Sequence, residues 1–284
     1  MTGPEIPPTA APTFGQRLRV ALDTYGPLCV GIDPHEALLR AWGLDASASG
    51  VRDFGLRTVE AAAGRVGVIK PQVAFFEAHG AAGFAALEEV IATARAAGLL
   101  VIADAKRGDI GSTMEGYAAA WLRPDAPLES DAVTLSPYLG TDALDAALRT
   151  ALAHDKGAFV LAATSNPEAA TVQSRTDVDG ESVAEGVAHD VAARNIGAPG
   201  SLGPLGLVVG ATADRRAVGL TDVVLAGMPI LAPGFGAQGA EPEDLKRLFG
   251  YVASQVVASE SRSILSAGPE RLAARIEERV ARYR

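Results

Sequence analysis

The stretch ADAKRGDIGST at 103–113 places Asp104, Lys106 and Asp109 at the end of an apolar run. Strand side chains alternate between faces, so Asp104 and Lys106 are expected to point the same way. Burying an acid beside a base is costly unless the two pair. Two other apolar runs also end in charge: LCVGID at Asp33, before Pro34, and VGVIK at Lys70, before Pro71. A following proline holds the preceding residue extended and stops the strand. Taken singly, each residue has an ordinary structural use: a rim ion pair or solvated turn for the Asp104 group, a cap for Asp33, a snorkelling side chain for Lys70. Two acids and two bases converging from three strand ends are hard to explain as decoration, and charges at strand C-termini in a barrel face the usual active-site mouth.

A second chemistry-bearing segment is APGFGAQGAEP at 232–242. Gly234, Gly236 and Gly239 permit unusual dihedrals and close backbone approach, so that amides can face an anion. Gln238 adds a side-chain amide. In the next apolar run, Ser261 and Arg262 stand in SRSIL, and the arginine offers a forked, permanently charged donor suited to phosphate oxygens. Barrel enzymes frequently bind phosphate with the loops after strands seven and eight.

The elements that must hold these groups read as strand–helix alternation. Eight strand-like runs fall at 28–33, 66–72, 99–106, 131–137, 158–165, 206–212, 229–236 and 256–265. Their near-continuous apolar character implies burial on both faces, as in a parallel sheet flanked by helices. Between them, 54–67 and 81–98 repeat apolar residues at helical spacing, and Leu272, Ile276, Val280 and Tyr283 form one stripe near the C-terminus. The pattern predicts an α/β protein with a (β/α)8 TIM-barrel fold, an open doubly wound sheet being the alternative. Residues 1–13 read as a flexible leader and 14–284 as one barrel domain. The polar stretch 166–180 and the loop 199–206 read as elaborations around the fifth and sixth strands.

Composition narrows the classes of function. A 284-residue chain with 48% hydrophobic residues fits a compact core, and a formal charge of −9 disfavours nucleic acid as a partner. No apolar stretch reaches the roughly 18 residues of a membrane helix. The N-terminus shows no signal peptide, and the only cysteine is Cys29, so a cytoplasmic protein is expected. The four histidines show no metal-ligand spacing; Trp42 and Trp121 read as packing residues. Glu77 and Arg107 stay open between site, interface and solvent.

The segments IKPQ, DAKRGDI, LSPY, ATSNP, PGFGAQG and SRSIL resemble the orotidine 5′-phosphate decarboxylase family, in particular its longer bacterial type. The resemblance runs from Gly31 to Ile264, with DAKRGDI its most specific part. It implies a catalytic network of Lys70, Asp104, Lys106 and Asp109. It also implies a homodimer in which Asp109 and Thr113 reach the neighbouring subunit's site. Asp33 and Thr113 would contact the ribose, Ser165 the pyrimidine, and Gln238 and Arg262, with the backbone at Gly234 and Gly236, the phosphate. The loop reads GFGAQG rather than the shorter type's Gly-Ile-Arg, and Ser-Arg replaces Gly-Arg, which bears on the phosphate contacts.

The implied reaction converts orotidine 5′-monophosphate to uridine 5′-monophosphate and carbon dioxide, with no metal and no organic cofactor. Fixed charge would then replace a cofactor's electron sink, Lys106 protonating the carbanion. Magnesium-dependent phosphosugar barrels share an Asp-x-Lys-x-x-Asp run, but they typically place Glu where this chain has Lys70, and a lysine there opposes a cation site. A non-catalytic phosphosugar-binding barrel would keep the glycine loop and lose the charged network.

Overall fold

A computed structural model describes residues 11–284; residues 1–10, most of the expected leader, lie outside the described residues. Eight parallel strands close into a barrel in sequence order. They are β1 (Leu28–Ile32), β2 (Val68–Pro71), β3 (Leu100–Arg107), β4 (Ala132–Leu135), β5 (Gly157–Ala163), β6 (Leu205–Val209), β7 (Ile230–Pro233) and β8 (Val256–Glu260). Pairing of Cys29 with Ser259 joins the first strand to the last, which settles the barrel against the open sheet.

Strand periodicity sorts the barrel residues into two apolar cores. Val30, Ile69, Val101, Val133, Val160, Leu207, Ile230 and Ala258 face the helices. Cys29, Val68, Leu100, Ile102, Ala132, Phe159, Val208, Leu231 and Val257 face the interior and fill it with side chains. The helix Phe14–Tyr25 closes the N-terminal end of the barrel: Phe14 meets Phe159 edge-on at 6.0 Å, and Leu18 and Leu22 join the interior core. Gly157 is required there, because a Cβ would lie 2.3 Å from the Phe14 ring. Thr13, inside the expected leader, forms a capping box with Gln16 and so starts this helix.

The same parity carries one layer further toward the C-terminal end. Lys70 follows Val68, Asp104 follows Ile102, Thr134 follows Ala132 and Ser259 follows Val257 at two-residue steps. The interior therefore changes from apolar to charged at the level where barrel enzymes carry their sites.

The end of the eighth strand differs most from expectation. The eighth strand stops at Glu260, and Arg262–Leu265 forms a short helix instead of extending the strand to 265. The Ser261 carbonyl accepts from both Ile264 and Leu265 amides, which turns the chain and buries those two side chains. The stretch 166–180 holds two short helical turns, Pro167–Ala169 and Ala170–Gln173, and a bridge between Thr176 and Ser182.

Candidate active site

Asp104 is the centre of the charged layer. It is buried, and each carboxylate oxygen accepts two hydrogen bonds. Lys70 Nζ donates to Oδ2 at 2.7 Å and Gln72 Nε2 to the same oxygen at 3.0 Å. Lys106 Nζ donates to Oδ1 at 2.5 Å and Thr134 Oγ1 to it at 3.0 Å. The Lys70 side chain is 7% exposed and that of Lys106 is 47% exposed. One ammonium is thus locked in the wall, while the other stands in the open mouth.

Electrostatics follow from this layout. Burial would favour neutral Asp104, but the two lysines outweigh it and hold the carboxyl well below the usual range. Burial likewise opposes the Lys70 charge, yet Asp104 and Asp33 hold its pKa above the ordinary lysine value. Burial, with the nearby carboxylates adding to it against Lys70, pushes the Cys29 thiol up to about 12. That thiol is neutral and unreactive at physiological pH.

The alternation expected between Asp104 and Lys106 is not regular. The β3–β4 ladder shifts register between Ala103 and Arg107, and Lys106 takes φ +47°. A bulge of this kind re-aims a side chain. The Lys106 amide donates to Thr134 Oγ1 at 2.9 Å, so Thr134 supports the displaced residue and Asp104 together.

The pocket above this layer encloses about 750 Å³ continuous with solvent. Asp33, Lys70, Asp104 and Lys106 line it together with Gly234, Phe235, Gln238, Ser259, Ser261 and Arg262. Asp33 Oδ1 and Ser261 Oγ are buried without a hydrogen-bond partner among the described residues, leaving two polar atoms available to a bound molecule. In the glycine loop, the amides of Gly236, Gly239 and Ala240 are used internally. Among the described residues, those of Ala237 and Gln238 have no acceptor, and Arg262 has no ion-pair partner.

Four expected residues do not line the pocket. Ser165 is exposed and lines a neighbouring depression with Asn166, Thr212 and Asp214. Asp109, whose Oδ1 accepts from the Ile110 amide at 2.8 Å, and Thr113, exposed on the helix Gly111–Leu122, are not among the residues lining the pocket. Gly236 backs the loop rather than lining the cavity. Arg262 sits in the turn after β8, not in the strand. Glu77 is exposed and pairs with Arg107 at 2.9 Å. Gln72 and Thr134 were not singled out by the sequence; the polar Thr in the apolar strand AVTL was the available signal.

Residues 26–276 match the orotidine 5′-phosphate decarboxylase / HUMPS family. The chain belongs to this family. It is 50% identical over 260 residues to the orotidine 5′-phosphate decarboxylase of Corynebacterium glutamicum strain R, covering 91% of this chain and 92% of that protein. The Streptomyces coelicolor protein of the same name is 52% identical over 257 residues, covering 90% and 91%. Among solved structures, a Streptomyces avermitilis protein superposes with a TM-score of 0.91 at 46% identity, covering 99% and 98%. Leishmania donovani OMP decarboxylase gives 0.76 at 30% identity, covering 96% and 99%.

Proposed function

We propose that this chain is an orotidine 5′-phosphate decarboxylase, a carboxy-lyase that converts orotidine 5′-monophosphate to uridine 5′-monophosphate in pyrimidine biosynthesis. The observation that carries the reading is that the Lys70–Asp104–Lys106 array shares one pocket with the glycine loop and Arg262.

The substrate's phosphate would lie against the free amides of Ala237 and Gln238, the Gln238 side chain and the Arg262 guanidinium. Asp33 Oδ1 would accept from a ribose hydroxyl. The orotate carboxylate would then sit over Asp104 and Lys106. Breaking the C6–carboxylate bond releases carbon dioxide and leaves the electron pair on C6. The Lys106 ammonium stabilises that pair and then donates its proton, forming the C6–H bond of the product. The neutral amine regains its proton from water. Lys70, fixed from the buried side, keeps Asp104 charged and in register.

No metal or organic cofactor takes part in this scheme. Asp104 supports it: both of its oxygens already face ammonium groups and neutral donors, an arrangement hostile to a third cation. Among the described residues, no helix is long and apolar enough to cross a membrane.

The active unit is a homodimer in which Asp109 and Thr113 enter the partner's site. Their position beside exposed Ile110, Tyr138 and Leu139 supports this, since an apolar patch at the barrel rim suits an isologous interface. The Ser136 amide donates to the Arg107 carbonyl at 2.8 Å, which keeps the 107–110 and 136–139 segments together. Ser165 would meet the pyrimidine only if its loop moved toward the pocket.

A spectrophotometric assay with orotidine 5′-monophosphate in the presence of EDTA tests the reading. Loss of substrate absorbance with stoichiometric uridine 5′-monophosphate is expected. No turnover, or turnover abolished by the chelator, rejects it.

A further inference from the structure

Behind the glycine loop lies a second charged cluster, separate from the Asp104 array. Glu260, the last residue of β8, is 1% exposed, and Arg279 from the helix Leu272–Arg282 is 5% exposed. Arg279 Nη2 donates to Glu260 Oε1 at 2.9 Å, and its Nη1 donates to Glu241 Oε2 at 3.2 Å. Glu241 follows the glycine loop directly; Glu260 stands two residues before Arg262. A single guanidinium therefore joins the segment carrying Gln238 to the segment carrying Arg262.

The surroundings tighten that join. Tyr283 Oη donates to Glu260 Oε1 at 2.8 Å, and its ring meets Phe235 of the loop edge-on at 5.9 Å. Burial and the Glu260 charge both raise the Tyr283 pKa, so its hydroxyl stays a donor. Ser263 Oγ donates to Glu260 Oε2 at 2.6 Å. Gly236 rests on the pair, with space for a Cβ blocked at 2.4 Å by Ser263 Oγ and at 2.9 Å by Glu260 Oε2. Arg282 adds outer contacts to Glu241 at 3.0 Å and Glu243 at 2.7 Å.

Stability is a poor reason for such a cluster, since apolar residues of similar volume often replace a buried ion pair without loss. Precision is a better one. A bound anion gripped from two loops requires their separation to be set beforehand, and a misplacement of about 1 Å can cost on the order of a hundredfold.

We propose that Arg279 is a positioning residue for the substrate's phosphate: by bridging Glu241 and Glu260 it fixes the spacing between the glycine loop and the Arg262 turn. It rests on the phosphate assignment made above and adds the C-terminal helix as the brace of that grip.

The test compares uridine 5′-monophosphate with uridine, which lacks only the phosphate, as competitive inhibitors of the full-length enzyme. Arg279→Gln should weaken the nucleotide about tenfold, or 1.4 kcal/mol, with uridine unchanged. Glu241→Gln, which weakens the half-exposed side of the bridge together with its Arg282 contact, should act the same way by a few fold, and it decides the matter if Arg279→Gln does not fold. Equal weakening of both ligands, or no change in either, overturns the proposal. Arg262→Ala separates the two levels of the argument. If it abolishes the preference for the nucleotide while the Arg279 and Glu241 variants keep it, the brace fails and the phosphate assignment stands. If Arg262→Ala also keeps the preference, both fail.

Discussion

Lys106 leaves β3 in the left-handed region, φ +47°, and folds its ammonium back to 2.5 Å from the Asp104 carboxylate two residues before it. A non-glycine residue pays on the order of 1–2 kcal/mol for that backbone. The Thr134 hydroxyl, accepting from the Lys106 amide, offsets part of it. Lys106→Ala should lower turnover at least about a thousandfold, since it removes both the acid and the local positive charge. Uridine 5′-monophosphate should still bind. Lys106→Gly should be equally inactive yet more stable than Lys106→Ala by about 1 kcal/mol in denaturant unfolding. An Ala variant as stable as the Gly variant would mean that the backbone is not strained.

Lys70 and Asp104 are each buried, so removing Asp104 leaves the Lys70 charge without its hydrogen-bonded partner, and removing Lys70 leaves Asp104 with Lys106 as its one ammonium partner. Lys70→Met and Asp104→Leu should each destabilise by about 3–5 kcal/mol, while the joint Lys70→Met, Asp104→Leu replacement should cost less than the sum. Chemical denaturation of the four proteins gives the cycle. Additive losses would show that the two charges are not coupled.

The pH dependence of stability has a definite sign on each side. Asp104 is held below its ordinary range, so its contribution is full above about pH 3.9 and is lost as pH falls toward the folded-state value. Lys70 is held above its ordinary range, so its contribution is full below about pH 10.4 and is lost as pH rises. Between those limits neither residue makes stability pH-dependent. Unfolding measured from pH 5 to pH 2 should therefore fall more steeply for the wild type than for Asp104→Asn. Parallel curves would contradict the assignment.

The barrel was legible because its strands are buried on both faces and read as apolar runs, and the charges at their ends stood out against that background. Asp33, Lys70, Asp104, Lys106, Gln238 and Arg262 all reach one pocket for this reason. The end of β8 was not legible, because SRSIL fits a strand and a single helical turn equally well. Neither was the shift at Lys106, which breaks the period of two that the prediction assumes. Gln72 and Thr134 are neutral, and threonine is at home in any strand. Glu260 and Arg279 meet only through the closure of the barrel and the return of the last helix, a contact no local pattern announces.

Gly236 has φ +72° and lies against Ser263 and Glu260. Gly236→Ala should destabilise by about 1–3 kcal/mol through strain and overpacking. It should raise KM for orotidine 5′-monophosphate more than it lowers kcat at saturation. Thermal unfolding and steady-state kinetics on the same preparation check both. Wild-type KM in a destabilised variant would detach the loop from substrate binding.

Asp109 and Thr113 stand at the rim beside exposed Ile110, outside the pocket of their own chain. If the partner's Asp109 completes each site, Lys106→Ala and Asp109→Ala homodimers are both inactive. Unfolding and refolding an equal mixture lets the chains redistribute. Half of the dimers are then mixed, and in each mixed dimer one site holds an intact Lys106 facing an intact Asp109. Activity should return to about a quarter of the wild-type value, as two-fold symmetry requires. A mixture that stays inactive would place Asp109 in its own chain's site, an active Asp109→Ala homodimer would remove it from the reaction, and a monomeric enzyme by sedimentation would remove the shared site altogether.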